Sequence, residues 1–161
     1  MLSSELAALF DRDLRRLQQE LAAFPDTAAL WATGPGVTNA AGTLALHLEG
    51  NLREYIGRQI GGHDFTRDRP REFSARGVTQ TEIAARIAAV TASIPPVIAQ
   101  LSEQALDAMY SETLLGTPLS TRQFLIHLLG HFNYHLGQID YLRRLTTGVG
   151  AIPLASLAAP Q

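Results

Sequence analysis

Apolar side chains recur every three or four residues in four separate stretches of the chain, and hardly anywhere in strict alternation. Leu6, Leu9, Phe10, Leu14, Leu17 and Leu21 form the first stripe, with charges falling between them. That spacing predicts an amphipathic helix over about 3–24. Pro25 ends it, because proline lacks the N–H that the next turn needs. Gly34, Pro35 and Gly36 mark a loop, and Trp31 beside it is expected to plug one end of the core. A second helix is expected from Thr38 or Asn39, both good caps, to the Gly61-Gly62 pair. The segment that follows is polar, irregular and holds Arg67, Arg69, Arg71 and Arg76; it reads as a solvated crossover loop. Thr79 and Glu82 fit a reciprocal capping box and open a third helix over about 79–102, which Pro95-Pro96 should kink or restart. After an extended linker over about 107–119, Ser120 and Gln123 form a second capping box. The fourth helix then runs to about Thr146, where Gly148 and Gly150 stop it, and the small apolar tail is expected to pack loosely.

Four helices of about 20 residues without strand signals predict an all-α protein. The expected architecture is a four-helix bundle with a long crossover between its second and third helices. It forms one domain over 1–161, with a C-terminal tail from 146 onward. Composition agrees: 161 residues suit one domain, and 46% hydrophobic residues are enough for a sizeable core. The net charge of −2 implies no basic face, so nucleic acid is not an expected partner. The chain has no cysteine, which removes disulfides, thiolate ligands and a cysteine nucleophile together. Any thiol chemistry must therefore arrive on a cosubstrate. Glu5, Asp11, Arg12 and Asp13 interrupt any secretory signal at the N-terminus, and no run approaches the roughly 18 apolar residues of a membrane span. These features predict a cytoplasmic protein with no membrane partner.

The fourth helix carries an anomaly. Its steps of four and three read Phe124, Leu128, His131, His135, Gln138, Leu142, Leu145: apolar at both ends and polar in the middle. Unpartnered polar groups cost on the order of 1–3 kcal/mol each when buried, so three in succession need a shared explanation. Residues four apart share a helix face, and two imidazoles so placed can present nitrogens to one metal ion. A third ligand must come from another helix, and His47 is the sole histidine of the second, flanked by Leu46 and Leu48. Asn51 and Glu54 follow it by one and two turns on roughly the same face. Spacing alone does not separate the pair His127/His131 from His131/His135. His127 lies about 80° round the helix from His135, and it reads as a supporting or structural residue. Three neutral nitrogens suit Zn²⁺, Ni²⁺, Fe²⁺ or Mn²⁺, with positions left open for water or substrate.

Gly130-His131-Phe132-Asn133-Tyr134-His135-Leu136-Gly137-Gln138 resembles the last-helix motif of the DinB-like superfamily, in which a second histidine four residues after the first is often followed by Gly-Gln. The stretch around His47 and Asn51 is similar to that superfamily's second-helix motif, and the run 67–73 resembles the crossover of one of its subgroups. The resemblance spans roughly 6–146. It implies a four-helix bundle with a divalent metal held by His47, His131 and His135, and thus favours His135 over His127. It also implies activities of the kind known among such proteins, transfer or isomerisation with low-molecular-weight thiols such as bacillithiol and mycothiol, and homodimers formed through helix faces.

A three-histidine ion with an open position can lower the pKa of water for hydrolysis, or favour the deprotonated form of a thiol. The expected function is therefore that of a metal-dependent enzyme of the thiol-transferase type acting on small molecules. The alternatives are a metal-dependent hydrolase and a non-catalytic helical module with a structural metal. Asn51, Glu54, Tyr134 and Gln138 are candidates to orient substrate or to support the ligands. Arg67, Arg69 and Arg71 either face the mouth of the site or pair with Asp68 and Glu72 to pin the crossover.

Overall fold

The computed structural model describes residues 1–113 and 116–157. Among them the elements are α1 (Leu2–Ala22), α2 (Thr27–Trp31), α3 (Ala41–Leu52) continuing into a π-helical stretch Arg53–Arg58, α4 (Arg69–Ser74), α5 (Gln80–Ala99), α6 (Glu103–Asp107) and α7 (Thr121–Thr147). The four long elements, α1, α3 with its π-helical extension, α5 and α7, make the bundle. α1 packs most heavily on α5, and α3 lies against α5 and α7. Leu6, Phe10, Leu14 and Leu17 of α1 are buried with Ile83, Ile87, Val90 and Ile94 of α5, as their spacing requires.

Several local expectations change. Residues 27–31, read as the approach to a loop, form the short helix α2, because Asp26 accepts the Ala29 N–H and caps it. Trp31 is half-buried rather than a plug. Its ring lies against Gly42, where a Cβ would come within 3 Å of it, and its Nε1–H donates to the Val78 carbonyl at 2.9 Å. Neither Thr38 nor Asn39 caps α3, which begins after Ala40 without a side-chain cap. Thr79 accepts the Glu82 N–H, but the Glu82 carboxylate leans toward Arg86 instead of reaching back. α5 runs through Pro95 and Pro96 without restarting. Ser120 and Gln123 do form the reciprocal capping box, and Gly148 closes α7 in the left-handed conformation.

By length and composition α5 could cross a membrane, contrary to the expectation that no run approaches a span. Its isoleucines face the core, and its outward face carries Ala85, Ala88, Ala89 and Ala92, which raise hydropathy without forming an apolar stripe. The linker before α7 holds a buried Tyr110 and an isolated antiparallel bridge between Met109 and Ser120; Leu114 and Leu115 lie outside the described residues. The tail is tied down more firmly than its composition suggests. Arg16 donates to the Ala155 carbonyl at 2.7 Å and Gln19 accepts the Ala155 N–H at 2.7 Å, while residues 158–161 lie outside the described residues.

The crossover is where the fold departs most from a solvated loop. Asp68 accepts the Arg71 N–H and starts α4, with Pro70 in its first turn. α4 packs on α3 and carries Glu72 inward, where it is buried. Arg53 stacks over Phe65 at 4.1 Å and Arg67 sits 5.3 Å from the Tyr55 ring, so cation–π contacts tie the segment to the second bundle helix.

Candidate metal centre

α3 and α7 run antiparallel, with Tyr55 edge-on to Phe124 at one level and His47 between His131 and His135 at another. The seam expected for α7 is displaced. Its buried residues are Thr121, Phe124, Leu125, Leu128, Phe132, Leu136, Ile139 and Arg143, whereas Leu142 is half-buried and Leu145 is 77% exposed. A long helix keeps nearer to 3.6 than to 3.5 residues per turn, so the stripe drifts round its surface. His131, His135 and Gln138 therefore flank the core and are half-buried, instead of lying at its centre. His47, on a helix buried all round, supplies the inner wall.

One nitrogen from each of His47, His131 and His135 falls within 4.8 Å of the other two. His47 Nε2 lies 3.3 Å from His131 Nε2. Two nitrogens bound at about 2.1 Å to one tetrahedral ion would stand about 3.4 Å apart, so this spacing already suits a shared cation. Both outer nitrogens are tied back. His47 Nδ1 donates to Glu72 Oε2 at 2.9 Å, and His135 Nδ1 donates to Gln138 Oε1 at 2.7 Å. Each acceptor fixes the proton on Nδ1 and leaves the lone pair on Nε2, the arrangement that supports metal-binding imidazoles. The three histidines could hold one metal ion.

The electrostatics agree. Burial, reinforced by His135 and His47, pushes the His131 pKa down to about 4. Burial also lowers that of His135, against the hydrogen bond to Gln138. Both rings are then neutral at pH 7, with lone pairs free to bind a cation. Glu72 is buried, which alone would raise its pKa, but the hydrogen bonds from His47 and Arg67 outweigh this and hold it below the usual carboxylate range. Arg67 grips the carboxylate with two bonds, Nε to Oε1 at 2.6 Å and Nη2 to Oε2 at 2.9 Å. The chain Arg67–Glu72–His47 thus links the crossover to the inner wall of the site.

The sequence offers Glu72 only as a partner for the crossover arginines, and its bond to His47 lies outside any local pattern. One signal was available: Gly50, a glycine inside a helix one turn after His47. A Cβ there would stand 2.2 Å from Glu72 Oε1. Glycine inside a helix costs roughly 1 kcal/mol relative to alanine, and here its absent side chain is what lets the carboxylate reach His47.

The other candidates separate clearly. Gln138 joins the site through His135. Glu54 turns away to Arg58 and Gln59, where the π-helical stretch carries it. Asn51 is buried one turn from His47 and makes no side-chain hydrogen bond among the described residues. Tyr134 is 66% exposed, its ring 5.2 Å from that of His135. His127 is exposed and stacks between Phe124 and His131 without joining the cluster. Arg69 lies over Phe73, and Asp68 serves as the cap of α4 rather than as an ion-pair partner.

A family model described as mycothiol-S-transferase matches residues 5–148. Among solved structures, the chain is similar to a conserved protein from Enterococcus faecalis at 18% identity and a TM-score of 0.69, covering 92% of this chain and 96% of that one. It is also similar to a DinB-like protein from Bacillus cereus at 17% identity and a TM-score of 0.66, covering 94% and 93%. A DinB-like protein from Bacillus subtilis gives 15% identity and a TM-score of 0.66, covering 93% and 96%. At these identities the likeness is one of fold. No curated protein matches the chain.

Proposed function

Because the chain belongs to the mycothiol-S-transferase family, we propose that it is a metal-dependent S-transferase, in which His47, His131 and His135 hold a divalent ion and a low-molecular-weight thiol is the sulfur donor. The observation that carries this reading is the convergence of three imidazoles, two of them tied back through Nδ1. The absence of cysteine requires the sulfur to come from outside. When bound, the ion supplies the positive charge that favours the deprotonated, nucleophilic form of a thiol at neutral pH.

The chain's own residues then have distinct tasks. Glu72 and Arg67 hold the His47 ring in one orientation, and Gln138 does the same for His135. Leu48, Phe132 and Leu136 exclude water from the inner side. Asn51 is buried one turn from His47 with no side-chain hydrogen bond among the described residues, and the exposed Tyr134 offers a hydroxyl beside His135. Both can orient a substrate.

Cobalt substitution tests the proposal. Titration of cobalt-loaded protein with small thiols is expected to produce thiolate charge-transfer bands, and the double change His131→Ala with His135→Ala is expected to abolish stoichiometric metal. A cobalt spectrum that no thiol alters, in a protein that chelators destabilise, would instead mark a structural metal clip.

A further inference from the structure

Two clefts border residues that support the histidine cluster, Arg67 in one and Gln138 in the other, and they differ in chemistry. One runs along Tyr55 and Arg67 and is charged, with Glu54, Arg58 and Glu112 also on its walls. The other lies between the loop over 36–39 and the C-terminal half of α7, encloses about 400 Å³, and has no charged side chain among its lining residues. Val37, Leu44, Tyr141, Leu142 and Leu145 form its apolar walls. A space of this size suits a small ligand.

This uncharged cleft reaches the cluster through Gln138, while the three histidines stand outside its lining. Leu44 stands one turn before His47 on α3, and Gln138, which fixes His135, lines the cleft. The Gln138 amide has two ends. Its Oε1 is used by His135, while its NH2 makes no side-chain hydrogen bond among the described residues and is left as a donor. Tyr141 and Leu145, 64% and 77% exposed, leave apolar surface in water on the α7 edge of the same cleft, where Arg144, itself paired with Asp140, lies 5.3 Å from the Tyr141 ring centroid. A ligand that fits these features is neutral, has an apolar body to cover Tyr141 and Leu145, and carries an acceptor oxygen for the Gln138 NH2.

We infer that this cleft binds the electrophilic partner of the transfer reaction, and that the partner is an uncharged α,β-unsaturated carbonyl compound with an apolar or aromatic body. The inference rests on the transferase reading. A carbonyl oxygen on Gln138 brings the conjugated carbons toward the three imidazoles. The thiol sulfur forms a bond to the β-carbon, and the carbon–carbon π pair shifts toward the oxygen held by the Gln138 N–H. The proton released by the thiol is returned to the α-carbon. The addition is redox-neutral and has no leaving group, so it needs no further reactant.

The saturated ketone 4-phenylbutan-2-one cannot react in this way and reports binding alone. Its affinity is measured by ligand-observed NMR on the full chain, with and without metal. Measurable binding to the wild type is expected, falling at least tenfold in Leu145→Glu and in Tyr141→Ser. Both side chains are exposed, so folding should survive, which circular dichroism checks. No binding to the wild type, or equal binding in both variants, overturns the inference. So does the finding that Leu145→Glu turns a dimer into a monomer while ketone binding is unchanged, since the face is then a subunit contact. A ketone that fails to bind while thiols still shift the cobalt spectrum sinks the cleft but not the transferase reading. A bound ketone with an unmoved cobalt spectrum sinks the transferase reading instead.

Discussion

Near the C-terminal end of α7, Arg143 is wholly buried and almost wholly satisfied. Its Nε donates to Glu20, one Nη donates to the Val149 carbonyl at 2.9 Å, and the other donates to Asp140 and to the Gly150 carbonyl, each at 2.9 Å. Earlier in the same helix, His131 and His135 turn toward His47 with nitrogen facing nitrogen. The first cluster matches positive charge to negative and gives every nitrogen of Arg143 an acceptor, leaving Glu20 Oε1 without a partner among the described residues, and it clamps the tail against α1 and α7. The second gathers three imidazoles with no carboxylate among the converging nitrogens, while Glu72 and Gln138 hold two of the rings so that their lone pairs stay inward. A buried cluster that pairs its own charges reads as architecture. A cluster whose nitrogens converge, held in place from behind, could hold a cation from outside the chain.

The largest expected effect lies on the architectural side. Arg143→Met leaves the Glu20 carboxylate buried without its hydrogen-bonded cation and with Asp140 nearby, in a site where burial already pushes the Glu20 pKa up. Removing one partner of such a pair costs about 3–5 kcal/mol, read from urea denaturation of the metal-free protein. Adding Glu20→Leu should recover most of that loss, because the unpaired charge goes too. If the single change costs no more than a surface substitution, Arg143 does not clamp the tail and the contrast between the clusters fails.

Next in size is the support behind His47. Gly50→Ala forces the Glu72 carboxylate out of contact, and Glu72→Gln keeps the shape but removes the charge that holds the His47 proton on Nδ1. Each should weaken metal binding by about 10–100-fold, measured by competition with a chromogenic chelator. Gly50→Ala should do so without lowering the helix content. Equal affinity in both variants would reduce the Arg67–Glu72–His47 chain to a packing contact.

How these parts were or were not legible in the sequence follows from where their causes lie. The four long helices were visible because each writes its buried face into its own spacing, as in Leu6, Phe10, Leu14 and Leu17. His47, His131 and His135 were visible because helix geometry converts a four-residue step into a shared face. The position of the α7 seam was not: a strict alternation of four and three carried it to Leu145, which is exposed, whereas the observed stripe moves through Phe132, Leu136 and Ile139 to Arg143. Glu72 was hidden for a different reason. Its partner is 25 residues away, across a crossover whose path depends on Trp31 reaching Val78 and on an absent side chain at Gly50. Local periodicity holds no trace of such a contact.

A smaller effect should appear with pH in the metal-free protein. His131 has a folded-state pKa of about 4, below the ordinary value of about 6.5 that the unfolded chain should keep. Between those values the unfolded state binds more protons, so stability is full above about pH 6.5 and falls as pH drops toward about 4. Glu72, held low, adds to the acid-side loss, while Glu20, raised by burial, opposes it. Comparing wild type with His131→Gln isolates the histidine. The wild type should lose stability relative to the variant across that window, and parallel urea midpoints would show that His131 is not buried as a neutral base.

The smallest expected effect sharpens the contrast most. His127 stands one turn before His131 and is equally able by spacing to form a pair with it, yet it is exposed and its ring centroid lies 6.5 Å from that of His131. It has neither a tied-back Nδ1 nor a place within the cluster of converging nitrogens. His127→Ala should therefore leave metal affinity within about twofold of wild type and move stability by no more than about 0.5 kcal/mol, as for most surface changes. His135→Ala, at the same distance from His131 in sequence, should abolish tight binding. If the two variants instead lose metal equally, spacing alone would govern the site, and the supports behind His47 and His135 would not be what selects the ligands.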